Sequence, residues 1–307
     1  MVEGASGHHV WADTFDRPIA DLFEIQDQIT SRISAMIAPE LELFELRKSA
    51  GQRPKDLGAW ELYVQGLRYF YQETAEGNVQ AREMFERAIK RDSAYCEAWA
   101  RLGWTYAHDI MIGASVDREA TIAAALTAAK RAVELDDFSP FAHLALSSVY
   151  VWSGDLEMGV LEVQRALELN PHDASAAMAL GNRLDLVGRT QEGIARMIKA
   201  LELNPRDPRR WHYFGFLSRA YTSLGEYETA VAWAKRAVQV RPDQADAHYR
   251  LALCLAHYGR ADEARAALLT CERISPGYTA KRAEWCPYPD PARNEKLFAG
   301  LRRTGLA

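Results

Sequence analysis

Residues 174–205 read ASAAMALGNRLDLVGRTQEGIARMIKALELNP, and this stretch decides the architecture. Leu180, Gly181 and Leu184 recur at helical spacing, Gly188 interrupts, and Gly193, Met197 and Ala200 resume the spacing before Pro205. The pattern predicts two helices joined at Gly188. Small Gly181 and Gly193 let the two backbones approach, Leu184 and Met197 fill the space between them, and Pro205 closes the second helix. Working outward, Pro171, Pro205, Pro242 and Pro276 are spaced by 34, 37 and 34 residues, and Asp137 precedes Pro171 by 34. Gly154, Gly188, Gly225 and Gly259 keep the same steps, as do Ala166, Ala200, Ala237 and Cys271. A helix–turn–helix unit of that period cannot bury its apolar face alone and stacks on its neighbours into a solenoid.

The flanking units follow the pattern with variations. Residues 140–171 carry Leu146, Tyr150, Gly154 and Ala166, and residues 245–276 carry Leu251, Leu255, Gly259, Ala264 and Leu268. The unit at 208–242 is three residues longer before Gly225, close to one extra helical turn. Two earlier units are degenerate. Around 60–93, Gly66, Tyr69, Ala81, Phe85 and Ala88 hold the spacing, with Ser93 in the proline place. Around 96–137, Trp99, Leu102, Gly103 and Tyr106 mark one helix and Ala125, Ala129 and Ala132 the other. Between them Asp109 to Arg118 is an insert of about ten residues against the template, either an edge loop or a longer helix pair.

Before the repeats, His8 to Arg17 alternates like a strand, and Pro18 ends it. Asp21 and Glu24 then form a capping box for a helix whose stripe runs through Leu22, Ile25, Ile29, Ile33, Ile37, Leu41 and Phe44, with Pro39 as a break. Gly51 to Lys55 is a polar junction. After Pro276, Trp285 to Pro291 carries three prolines and cannot be helical. A last helix, Ala292 to Arg303, carries Leu297, Phe298 and Leu301 and is expected to cap the apolar end of the stack. The expected organisation is 1–20 strand, 21–57 helix and junction, 58–276 about six repeats, and 277–307 cap.

Over 58–276 the repeats resemble the tetratricopeptide family. The resemblance implies an all-α, right-handed superhelix that binds protein or peptide in a concave groove lined by the first helices. A second resemblance is carried by Gly7 to Arg17, by Asp21 to Ile29, by Asn204-Pro205-Arg206-Asp207-Pro208-Arg209-Arg210-Trp211 and by Gly300 to Leu306. These segments are similar to the part of bacterial class III adenylate/guanylate cyclases, and of winged-helix transcription regulators, in which a TolB-like segment precedes tetratricopeptide repeats. It implies a regulatory module of a bacterial signalling protein. A free-standing adaptor is the alternative. The cyclase or winged-helix domain, and most of the TolB-like segment, would lie upstream of Met1. Residues 1–20 are then a remnant strand with open edges that is disordered, folded on the repeats or paired with another chain.

Composition narrows the function classes. Hydrophobic residues are 48% and charged residues 26%, ordinary for a globular domain, and the formal net charge of −5 with no basic run argues against direct nucleic-acid binding. No apolar run reaches the length of a membrane helix, and the start lacks a signal-peptide pattern. Cys96, Cys254, Cys271 and Cys286 form no CxxC pair, and three fall where small core residues belong, which fits a reduced, cytoplasmic chain. No phosphate loop, nucleophile elbow or HExxH motif is present, so neither enzyme activity nor a cofactor or metal is expected. His8-His9 and His108-Asp109 lack the spacing of ligand or catalytic sets.

Periodic alignment of the first helices selects groove residues: Trp104 and His108; Leu144, Ser148 and Trp152; Met178, Asn182 and Asp185; Arg209, His212 and Phe216; Asp246, Tyr249 and Leu253. Arginine, histidine, asparagine and aromatics together suit a peptide or helix of acidic character. Asn182, Arg209 and Arg250 match places of the family's carboxylate clamp, but Met178 and Tyr213 stand where Lys and Asn are needed, so chaperone-tail binding is not implied.

Overall fold

The computed structural model describes residues 58–302, apart from 113, 206, 208, 284–287 and 289. The expected strand, the capped helix from Asp21 and the 51–55 junction lie outside the described residues, as does Cys286.

The described chain is all helical. Six antiparallel pairs follow one another: α1 (Ala59–Phe70) with α2 (Ala75–Arg91), α3 (Cys96–Met111) with α4 (Arg118–Leu135), and α5 (Pro140–Ser153) with α6 (Leu156–Leu169). Then come α7 (Ala174–Leu186) with α8 (Thr190–Leu203), α9 (Arg210–Leu224) with α10 (Tyr227–Val240), and α11 (Ala245–His257) with α12 (Ala261–Ile274). A short α13 (Tyr278–Ala283) and a terminal α14 (Pro291–Arg302) complete the described chain.

The punctuation read from the sequence sets these boundaries. Second helices α6, α8, α10 and α12 each end two residues before the recurrent proline, because the residue ahead of a proline is driven out of the helical region. The turn glycines Gly154, Gly188, Gly225 and Gly259 have φ between 84° and 96°, a left-handed backbone that side chains with a Cβ resist. Capping side chains start some of the helices: Ser139 accepts from Ala142 N ahead of Pro140, and Asp173 accepts from Ser175 N and Ala176 N.

Packing within a pair depends on small residues. A Cβ on Gly181 would lie 2.6 Å from Gly193 O, and one on Gly193 would collide with Gly181 O. No larger residue fits at that crossing. Ala125, Ala129, Ala166, Ala234 and Ala237 are all fully buried on second helices. Cys96, Cys254 and Cys271 are free, buried thiols. Burial pushes them up to about 11, 11 and 12, so they act as small apolar fillers.

Two segments refine the expected organisation. The 109–118 insert divides between the two readings: 109–111 and 118 lengthen α3 and α4 to 16 and 18 residues, and 112–117 form the connection. Asp109 is buried in it, accepting from Asn78 Nδ2 at 2.6 Å and pairing with Arg82 at 2.5 Å. The terminal helix covers apolar surface, but not at the open end beyond α12. It packs on the first helices α11 and α9. Leu297 and Leu301 join a core with Tyr249, Leu253 and Tyr288, and His257 Nε2 lies 2.7 Å from Leu297 O.

Candidate functional site

First helices of all six pairs face one cavity of about 150 Å³. Phe70 of α1, residues of α3, α5, α7 and α9, Arg250 of α11 and Arg282 of α13 line it. Ten of the groove residues selected from the sequence are in that lining. Trp104 stacks on Phe141 with centroids 5.4 Å apart, and His108 packs edge-on to Phe70. Leu144, Trp152, Met178 and Phe216 supply apolar wall. Ser148 accepts from Arg183, Asn182 accepts from Arg219, and Arg209 donates to Ser175 at 2.9 Å. His212 lies against Glu73.

The other four do not line this cavity. Asp185 is fully buried beneath it: Arg219 donates twice to its Oδ2, Thr190 donates to its Oδ1 at 3.0 Å, and Tyr288 and Arg293 reach it from the C-terminal segment. Asp246 is held by Arg250 at 2.5 Å, Arg282 at 3.3 Å and the Tyr278 hydroxyl at 2.8 Å. Burial pushes the Asp246 carboxyl up, but the two guanidiniums outweigh it and hold it well below the usual range. Tyr249 and Leu253 line only a small hollow of about 20 Å³ beneath Leu297 and Phe298. The returning C-terminal segment therefore occupies the inner face of the sixth pair. That segment has no periodicity, so spacing alone placed these residues in an open groove.

Several lining residues escaped the sequence analysis. Glu73 is the clearest. It sits directly before the helix cap Thr74, where Gly154 sits before Asp155 in a later unit, and it is left-handed at φ 55°. From the first turn it reaches the fifth pair: Trp211 Nε1 donates at 3.0 Å, Arg241 Nη1 donates at 2.6 Å, and His212 Nε2 lies 3.2 Å away. Burial raises its pKa, but His212, Arg241 and Trp211 together pull it down to about 2. A strained non-glycine at a glycine place was the available signal. His108 is buried next to this clasp. Burial, then the His212 charge, lowers its pKa to about 4, so it is neutral at pH 7, and its Nδ1 has no partner among the described residues.

Arg183, Arg209, Arg219, Arg250 and Arg282 line the cavity, and Glu73 is the single lining carboxylate among the described residues. Most of these cations are satisfied from behind by Asp185 and Asp246. Arg183 is different: its hydrogen bonds go to the Ser147 and Ser148 hydroxyls at 3.2 and 3.0 Å. Among the described residues no group of three or more His, Cys, Asp or Glu is placed to hold a metal, and no helix is long and apolar enough to cross a membrane.

Residues 219–259, which hold the end of α9, all of α10 and α11 and their 34-residue spacing, match the TPR repeat family. The fold is a tetratricopeptide-repeat solenoid. Two solved structures are similar to it. One is the Cut9–Hcn1 hetero-tetramer of the APC/C, with a TM-score of 0.60 at 17% identity, covering 89% of this chain and 48% of that one. The other is a thermophilic TPR protein of Thermus thermophilus, with a TM-score of 0.53 at 22% identity, covering 64% of this chain and 99% of that one. At these identities the likeness concerns the fold. By sequence, 160 residues (51% of this chain) are 29% identical to a putative adenylate cyclase 3 of Rhizobium meliloti strain 1021, and the chain covers 27% of that relative's length. TPR solenoids of this kind are scaffolds for protein–protein interaction.

Proposed function

We propose that this TPR solenoid captures an acidic segment of a protein partner on its inner face, and that it serves as the regulatory part of a bacterial signalling protein of adenylate cyclase type. The observation that carries the binding part is the cavity lining: five arginines beside Trp104, Trp152 and Phe216, with one carboxylate among them. Guanidinium groups recognise carboxylates through paired N–H donors, and aromatic walls supply contact area at small entropic loss. The signalling part is supported by the likeness to the Rhizobium meliloti protein. On this reading an occupant of the cavity changes the curvature of the array and so biases an output domain.

Selection from a random dodecapeptide library tests the binding part. Enrichment of Asp or Glu beside an aromatic or aliphatic residue is expected, with the enrichment lost in Arg209→Glu. Selection of basic peptides, or no enrichment at all, overturns it. For the signalling part, the chain is joined to a cyclase domain and nucleotide turnover is followed as the selected peptide is added. A change in turnover supports regulation. An unchanged rate removes that part and leaves the interaction module, in which case a free-standing adaptor is the better reading.

A further inference from the structure

Arg183 separates itself from the other arginines of the cavity. Arg219 has Asp185 at 2.9 Å, and Arg250 and Arg282 share Asp246. Arg183 is 6% exposed, yet no described carboxylate lies within 4.0 Å of it, and its two hydrogen bonds end on neutral hydroxyls. Two of its five N–H donors are used, so most of the fork is left for something else. Its stem packs near Gly159, while the guanidinium and its acceptor Ser148 belong to the cavity wall. A buried cation without a counter-ion works against folding. The contacts made within the solenoid are the stem packing and two hydrogen bonds to neutral hydroxyls, neither of which calls for a charge. The charge is therefore explained by something that binds.

The same lining carries a second orphan, the buried Nδ1 of His108. Flat apolar surfaces line the same cavity: Trp104, Trp152 and Phe216. The cavity thus combines an uncompensated guanidinium, one neutral imidazole nitrogen and aromatic walls.

We propose that Arg183 is the centre of an anion subsite that takes one compact oxyanion, a carboxylate or phosphate group, carried on a flat apolar body. This rests on the inner face being a binding surface, and it deepens that reading by naming the recognised group. The oxyanion accepts from the free N–H donors of Arg183, and its body lies against the aromatic wall. A free small acid and an acidic peptide residue beside an aromatic one share this chemistry.

The test uses the full chain with benzoate, phenylphosphate and, as the neutral control, benzyl alcohol. Binding is read by titration calorimetry and by the thermal midpoint. Benzoate or phenylphosphate should bind and raise the midpoint, and benzyl alcohol should bind more weakly than either. Arg183→Met should weaken anion binding by about 10- to 100-fold, and its own midpoint without anion should equal or exceed that of the wild type. Arg183→Lys, which keeps the charge without the fork, should fall between them and serves if the Met variant does not fold. Failure of both anions to bind the wild type, or equal binding by the Arg183 variants, overturns the subsite. If a selected acidic peptide binds but benzoate neither binds nor displaces it, the subsite is wrong and the inner-face reading stands. If neither peptide nor anion binds, both fail. Displacement of the peptide by benzoate assigns the oxyanion to a peptide side chain. Anion binding without peptide binding supports the subsite, assigns it to a free small acid and removes the protein-partner reading.

Discussion

The inner faces of the early and the late pairs are built from the same repeat and end in opposite states. From α3 to α7, first-helix residues such as Trp104, His108, Ser148 and Asn182 line the cavity. At α11 the equivalent face is covered, and Asp246, Tyr249 and Leu253 belong to a core completed by Tyr278, Tyr288, Leu297 and Leu301. The repeat period sets which residues point inward, whereas the non-repeating segment after it decides which of them meet solvent or a ligand.

The largest effect is expected at Asp185, the anchor between the two regions. Asp185→Ala strands Arg219, which is 5% exposed, and releases Arg293 and Tyr288. A loss of about 3–5 kcal/mol in urea unfolding is expected. A loss below about 1 kcal/mol would mean that the C-terminal segment is not held through Asp185.

Acid sharpens the contrast, because the open side carries the groups that titrate first. His108 has a pKa of about 4 in the fold against 6.5. The unfolded chain therefore takes up its proton first, and the stability it contributes is complete above pH 6.5 and lost as pH falls to 4. Glu73, at about 2 against 4.5, contributes stability that is complete above pH 4.5 and lost as pH falls through 2. Each shift corresponds to about 3 kcal/mol. His108→Gln should flatten the stability profile between pH 6.5 and 4, and Glu73→Gln should flatten it below 4.5. Unaltered profiles would remove the Glu73 clasp and its neighbour as acid-sensitive elements.

A smaller effect separates helix crossing from turn. Gly181→Ala sets a Cβ 2.6 Å from Gly193 O and should lose about 1–3 kcal/mol. Gly259→Ala meets no atom within 4 Å and has only its φ of 85° against it, for about 1–2 kcal/mol. Guanidinium denaturation of the two variants gives the order, and a larger loss at Gly259 would reverse it. The smallest effect is expected at Leu161, 57% exposed on the outer face of α6. Leu161→Gln should stay within about 0.5 kcal/mol and leave peptide selection unchanged; a loss of binding there would move the site to the outer face.

Much of this was legible along the chain. Pro171, Pro205, Pro242 and Pro276, with the glycines between them, carry helix boundaries as local backbone constraints, and local constraints are written in local sequence. The ten lining residues were legible because a first helix repeats its inward face with every unit. Asp185, Asp246, Tyr249 and Leu253 were read as groove for the same reason, since nothing local distinguishes a covered inward face from an open one. Arg183 was missed because its meaning is a missing partner, and only folding brings together the carboxylates that serve its neighbours and pass it by.

By itself, then, the sequence determined the period, the pairing of helices, the small residues at their crossings and the inward-facing positions, all set by interactions within one repeat or between adjacent ones. Tertiary structure alone decided that Glu73 reaches across 138 residues to Trp211, that the segment from Tyr288 folds back over α9 and α11, and that Arg183 is buried without a counter-charge among the described residues. Those outcomes depend on the accumulated curvature of six stacked pairs. Curvature sums small rotations over the whole array, so no local stretch of residues contains it.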